Sequence, residues 1–384
     1  MMTIIPVNTK IDFMGKLRYA VGLSTVGTLL GILLTIYPGL HFGIDFRGGT
    51  EIQLKFKETT DPGVIRDALA ELGLPNDSVQ RYGDDAQNEF IIRMDSATFQ
   101  GAGELTKIQT ILTEKFGSKV SNFRQNDEGT RLSFKREVDV TADQAQAALN
   151  SLGTVQVVQD PVDEQILNVG FGDPSERLSK TLSAALPAGS FQVVRIDTVG
   201  PRVGQELKSQ AALAVIFSGI LVLLYVALRF ETEFAPGAII CLIHDVSMTL
   251  LVLILTGSEF GLTTLAAIMT VVGYSLNDTI VVYDRIRENL RRHRTKDMYE
   301  LINLSINETL SRTIITSGTT FLSVVALFVF GGPTIHDFAL AMMVGIITGT
   351  YSSIYIAAPT IPFSRKLLGI TGDPAGGEEE PATT

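Results

Sequence analysis

Six polar or ionisable side chains interrupt the apolar second half of this 384-residue sequence, and their types suit proton movement. His244 and Asp245 lie in "CLIHDVSMTLL"; Asn277, Asp278, Asp284 and Arg285 lie in "VGYSLNDTIVVYDRIREN". A charge within hydrocarbon must be paired, protonated or wetted, so intramembrane ionisable residues are functional candidates by default. Asp278 and Arg285 are seven apart and share one helix face, as do Asn277 and Asp284. Such a stripe could pass protons between a carboxylate, a water chain and a guanidinium. The alternatives are plainer: Asp284 and Arg285 as interface charges opening a basic loop, and His244 as a hydrogen-bonding group within a helix bundle.

The elements that must position these residues are apolar runs of membrane length. The chain is 45% apolar, and runs long enough to span occur at 17 to 37, then at about 211 to 228, 236 to 256, 261 to 283, 313 to 331 and 336 to 362. Six spans result, split one plus five. If the third and fourth form a hairpin near Gly257 to Phe260, Asp245 lies about 18 Å below that turn, Asp278 about 26 Å and Arg285 about 35 Å. Asp284 and Arg285 therefore fall at the far interface. Gly27-x-x-x-Gly31 and Gly345-x-x-x-Gly349 permit close helix approach, and "ITSGTTFLS" adds a small-residue contact surface.

Lys and Arg in short loops set orientation. Lys10, Lys16 and Arg18 precede the first span; Arg285, Arg287, Arg291, Arg292, Arg294 and Lys296 follow the fourth; Arg365 and Lys366 follow the last. "TGSEFG" and "FGGPTIHD" on the other side carry none. Both termini, residues 1–16 and the acidic tail 364–384, are expected in the cytoplasm, with 206–363 forming the last five spans. The first apolar run is longer than a signal-peptide core and lacks a cleavage pattern, so it reads as a retained anchor.

Residues 38–205 read as an exported α+β domain. From Glu51 to Gly200 there are 23 acidic and 15 basic residues, a net of −8 out of the chain's −10. "TEIQLKFK" alternates as a half-buried strand, and "DPGVIRDALAELG" is a helix with Asp61 as N-cap, Pro62 at its first position and Gly73 as its stop. "NEFIIRM" and "RLSFKREV" follow as strands around the helix "LTKIQTILTEKFG". The pattern then restarts: "SFKREVDVTADQAQAALNSLG" echoes "KFKETTDPGVIRDALAELG", and "DEQILNV" echoes "NEFIIRM". A helix "DPSERLSKTLSAAL" and a strand "FQVVRIDTVG" close the segment. The expectation is a tandem of βαβ, ferredoxin-like units over about 50–130 and 131–200.

Several chemistries are excluded. The single Cys241 supports neither a disulfide framework nor a cysteine metal site and reads as a small core residue. No G-x-x-x-x-G-K-[ST] occurs, and Gly170-Phe171-Gly172 lacks the third glycine of a dinucleotide loop. No enzyme activity, cofactor, metal or nucleic-acid partner is expected; any energy comes from a partner or an ion gradient.

"GIDFRGGT", "VGPRVGQEL", "HDV", "VGYSLNDTIVVYDRIREN", "SRTIITSGTTFL" and "FGGP", in that order across all six spans, resemble the SecF family, the smaller membrane subunits of bacterial SecDF protein-export complexes. The resemblance implies a resistance-nodulation-division type membrane fold in the bacterial cytoplasmic membrane and a six-span SecD partner. It also implies work beside the SecYEG channel and SecA motor, on unfolded preproteins, in which proton flow drives movement of the exported domains. It assigns relay roles to Asp245, Asp278, Asp284 and Arg285. The apparent second βαβ unit departs from the family pattern, which has about one. A half-transporter for small molecules or lipids is the alternative. Gly43, Asp45, Arg47, Gly48 and Gly49 form a hinge candidate between the first span and the strand after it; Asp45 and Arg47 would share a face if that segment is extended.

Overall fold

The computed structural model describes residues 9–69, 78–82, 88–94, 102–125, 131–137, 139–150, 155–161, 163–171, 182–187, 189–293 and 297–369. In chain order, α1 (Leu17–Ile36) and the one-turn α2 (Ile44–Arg47) lead to β1 (Gly49–Phe56), α3 (Pro62–Ala68), β2 (Val79–Tyr82) and β3 (Glu89–Met94). Then come α4 (Ala102–Phe116), β4 (Val120–Gln125), β5 (Arg131–Arg136), α5 (Ala142–Leu149), β6 (Val155–Gln159), β7 (Ile166–Phe171) and β8 (Phe191–Val199). The rest is helical: α6 (Pro201–Arg229), α7 (Ala235–Thr256), α8 (Leu262–Arg292), α9 (Met298–Phe330), α10 (Pro333–Ser352) and α11 (Ala358–Leu367). Two compact units result, residues 42–210 and the remainder.

The first unit holds two four-stranded antiparallel sheets, ordered β2-β3-β1-β8 and β4-β5-β7-β6. Strand β1 alternates as its sequence requires. Ile52, Leu54 and Phe56 point into a core with Ile65 of α3, while Gln53 and Lys55 reach Glu89 at 2.7 and 2.8 Å and Glu51 pairs with Arg93 at 3.1 Å. The caps are local: Asp61 accepts from the Gly63 N–H at 2.6 Å ahead of Pro62, and Thr141 with Gln144 forms a capping box.

The units are ferredoxin-like as expected, split βαβ and antiparallel throughout: β3 lies between β1 and β2, and β7 lies between β5 and β6. Their bounds are corrected, because the folded bodies do not follow 50–130 and 131–200. The outer strand beside β1 is β8, from the second half, and the strand beside β5 is β4, from the first. Helix contributions cross as well: Leu182 is buried in the β1 core, and Ile108 and Leu112 of α4 are buried in the β5 core. Most of the "DPSERLSKTLSAAL" helix, Gly73 and Gly172 lie outside the described residues, as do Arg294, Lys296 and the tail from residue 370.

Among the described residues, six helices are long and apolar enough to cross a membrane, and they make the other unit a multi-pass membrane bundle. Several run past their apolar windows. The basic segment 284–292, expected as a loop, continues α8 to Arg292, and α9 starts at Met298, well before residue 313. These polar extensions are helical because each still carries an apolar face: Ile286, Leu290, Leu301, Ile302 and Ile306 are buried together. Gly257, left-handed at φ 69°, ends α7 at the expected hairpin. Between α10 and α11 a π-helical turn spans Ser353–Ala357.

Candidate functional site

Asp245 stands on the buried face of α7, at 0% exposure, with His244 at 3%. An isolated carboxylate at such a place would be prohibitively costly, and here both oxygens are engaged. Oδ1 lies 2.8 Å from His244 Nδ1. Oδ2 accepts from Ser352 Oγ of α10 at 2.8 Å and from Ser275 Oγ of α8. Cys241 Sγ, one turn earlier on α7, approaches the same oxygen at 3.7 Å and Ser352 Oγ at 3.0 Å. Three helices thus meet on one carboxylate.

Small residues make that meeting possible. A Cβ built at Gly349 would lie 3.1 Å from Ser275 Cβ, and one at Gly345 would collide with the Val271 side chain. The Gly345-x-x-x-Gly349 face therefore brings α10 close enough to α8 for Ser275 and Ser352 to reach the same oxygen. On the other flank, a Cβ at Gly27 would meet Met248 Sδ, and one at Gly31 would meet the Ser247 carbonyl, so α1 packs just beyond the His–Asp pair on α7. Tyr351 ties α1 to α10: its Oη donates to the Ala20 carbonyl at 2.9 Å and accepts from Ser24 Oγ at 3.1 Å. Its ring lies 6.1 Å from that of His244.

Asp278 forms a second, separate cage. It is buried, and Oδ2 accepts from Ser317 Oγ of α9 at 3.0 Å and Thr350 Oγ1 of α10 at 3.4 Å; Thr350 also donates to Ser317 at 2.8 Å. Among the described residues, no hydrogen bond of either carboxylate joins Asp278 to Asp245. Arg285, seven residues on, pairs instead with Glu308 of α9 at 2.7 Å and with Glu288 at 2.5 Å. Asp284 turns to Arg229 of α6, at 2.7 Å and half exposed. Asn277 is exposed. The expected stripe on α8 is therefore divided: Asp278 and Arg285 both face α9 but not each other, while Asn277 and Asp284 stand outside the cages.

The donors around the two carboxylates were not singled out from sequence. Of Ser275, Ser317, Thr350 and Ser352, only Ser317 fell in a stretch noted there for packing, the "ITSGTTFLS" contact surface, and Cys241, a core residue as expected, also borders the Asp245 cage. A usable signal exists: Ser317 and Thr350 carry the only hydroxyls bonded to Asp278 among the described residues, and each lies on a small-residue helix face that approaches α8.

The "GIDFRGG" segment departs from the extended form. Ile44–Arg47 is a helical turn, so Asp45 and Arg47 are about 200° apart and do not share a face. Gly48 and Gly49 take φ of 72° and 137°, conformations open to glycine. A Cβ at Gly204, in the first turn of α6, would lie 2.8 Å from the Gly48 nitrogen; the second family stretch, "VGPRVGQEL", packs on the first.

Comparison with known proteins bears on the family of the chain. Residues 179–366 match the family model "Protein export membrane protein SecD/SecF, C-terminal", and residues 38–60 match the SecD/SecF GG motif. The protein translocase subunit SecF of Koribacter versatilis is 36% identical, over 96% of this chain and 95% of its own. That of Calditerrivibrio nitroreducens is 36% identical over 94% and 96%. The crystal structure of SecDF, a translocon-associated membrane protein from Thermus thermophilus, superposes at a TM-score of 0.65 with 30% identity, covering 94% of this chain. A SecDF structure in a super-membrane-facing form superposes at 0.56, also with 30% identity. This chain spans 40% of the SecDF chain in each. These relatives do not favour the exporter alternative. The chain belongs to the SecF family of protein translocase subunits, which are membrane proteins and not enzymes.

Proposed function

We propose that this subunit couples the proton motive force to preprotein translocation and release across the cytoplasmic membrane. It does so together with a SecD-type six-span partner, beside the SecYEG channel and SecA. The observation that carries the reading is the Asp245 cage: a fully buried carboxylate touching His244 and hydroxyls from two further helices. Protonating Asp245 changes an acceptor-only group into a donor, so its four neighbours must rearrange, and helices α7, α8 and α10 feel each proton that arrives. Asp278 supplies a second exchange point on α8. Arg285 and Asp284 act at the membrane edge, where their ion pairs are half exposed.

A SecD partner is supported by the SecDF structures, single chains of which this one matches 40%. The distribution of Lys and Arg supports cytoplasmic termini and an exported α+β unit. Gly43, Asp45, Arg47, Gly48 and Gly49 form the joint between the first span and that unit, and movement is passed through it. The test is preprotein release from vesicles with an imposed proton gradient. Omitting this chain should slow release while ATP hydrolysis by the motor continues; undiminished release would overturn the reading.

A further inference from the structure

One face of α9 carries hydroxyls at every fourth residue: Ser305, Thr309, Thr313 and Ser317, all buried. Four-residue spacing keeps them on one stripe, about 18 Å long. At one end Ser317 donates to Asp278. At the other, Asn289 Nδ2 of α8 donates to Ser305 Oγ at 3.0 Å and to Glu308 at 2.6 Å, and Glu308 accepts from Arg285. The stripe thus runs between a buried carboxylate and a half-exposed one.

Thr313 is the break in it. Ser305 and Thr309 donate to carbonyls of their own helix, at 2.8 and 3.0 Å, the usual outlet for a helical hydroxyl. Thr313 does not: it is 2% exposed, its Oγ1 is enclosed, and that atom has no hydrogen-bond partner among the described residues. Thr316, on the same helix, back-bonds normally to Arg312 at 3.0 Å. A buried hydroxyl held off its own backbone is stabilised by a water, which suits a polar seam.

We propose that Thr313 holds one water molecule of a short file that carries protons between the Asp278 cage and Glu308, which makes Glu308 the inner-end carboxylate of the relay. The inference rests on the proton-coupled reading above. In the transfer, the O–H bond of protonated Asp278 breaks as the nearest water of the file accepts its proton, each water takes one proton as it gives up another, and the last O–H breaks as Glu308 accepts; every water is regenerated and one proton has moved along the stripe of about 18 Å. The charged groups around the seam are Asp278, Arg285 and Glu288 from α8, and Glu308 and Arg312 from α9, the Arg312 charge reaching Asp278. Helix α10 contributes the neutral Thr350.

The experiment is proton flux into vesicles holding the complete complex, read with a pH-sensitive dye, for Thr313→Val, Thr313→Ser and Asp245→Asn. Valine keeps the shape and removes the hydroxyl. Flux should fall at least about tenfold in Thr313→Val, as when a proton-transfer group is lost, and return in Thr313→Ser. Undiminished flux in Thr313→Val together with lost flux in Asp245→Asn would overturn the water site and leave the relay standing. Undiminished flux in Asp245→Asn would overturn both. Melting gives a second readout, because removing a dry, unpartnered hydroxyl raises the midpoint, whereas removing a water ligand does not; a raised midpoint counts against the proposal.

Discussion

Ser352 Oγ lies 2.8 Å from Asp245 Oδ2, joining α10 to α7 across the centre of the bundle. The same oxygen receives Ser275 from α8, so a single atom records the spacing of three helices. Changing its charge is the smallest event that could alter all three contacts together.

Removing one of those donors should weaken the bundle as well as the relay. Ser352→Ala or Ser275→Ala leaves a buried carboxylate short of a partner, at a cost of about 1–3 kcal/mol. Thermal unfolding in detergent should show each variant melting below the parent, and Asp245→Asn should soften the effect of Ser352→Ala.

Helix approach sets the cage, so Gly349 should tolerate no side chain. Its Cβ would press on Ser275, and that of Gly345 on Val271. Overpacking of this kind costs about 1–3 kcal/mol. Gly345→Ala should be the worse of the two, since Val271 has no free end to turn away; relative melting points check the order.

The joint after α1 makes a different demand. Alanine at Gly48 or Gly49 must take a φ of 72° or 137°, strain worth about 1–3 kcal/mol. The double variant should still insert into membranes but should be cut faster by protease within residues 42–210 and should export poorly. Normal protease resistance and normal export together would argue against the joint.

Glu233, in the connection between α6 and α7, gives a pH signature. Burial raises its pKa from the ordinary 4.5, and the nearby Glu231 raises it further, against the opposing effect of Arg365 at 3.4 Å. The folded state therefore holds this proton more tightly than the unfolded chain, and stability falls as pH rises from about 4.5 towards the raised value. Glu233→Gln should flatten that part of the melting-versus-pH curve.

The spans, the hairpin at Gly257, the α+β character and the alternation of β1 were legible because each rests on local periodicity. Strand partners were not. Exchange of β4 and β8 between the halves depends on which edge each returning strand reaches, and the echo of "NEFIIRM" in "DEQILNV" carries no information about that edge. Within the bundle, His244 and Asp245 could be singled out because charge in an apolar run is conspicuous. Ser275, Ser317, Thr350 and Ser352 could not, since a hydroxyl among glycines and alanines looks the same whether it packs or donates. Arg285 looked like a partner for Asp278 by helix face alone; Glu308, on a helix that starts earlier than its apolar window, provides the nearer charge.

The most direct measurement compares preprotein translocation in vesicles with and without an imposed proton gradient, for the parent and for Asp245→Asn in the full complex. The gradient-dependent increment should be present in the parent and absent in Asp245→Asn, with the ATP-driven component unchanged in both. An increment of parental size in Asp245→Asn would contradict proton coupling through this carboxylate.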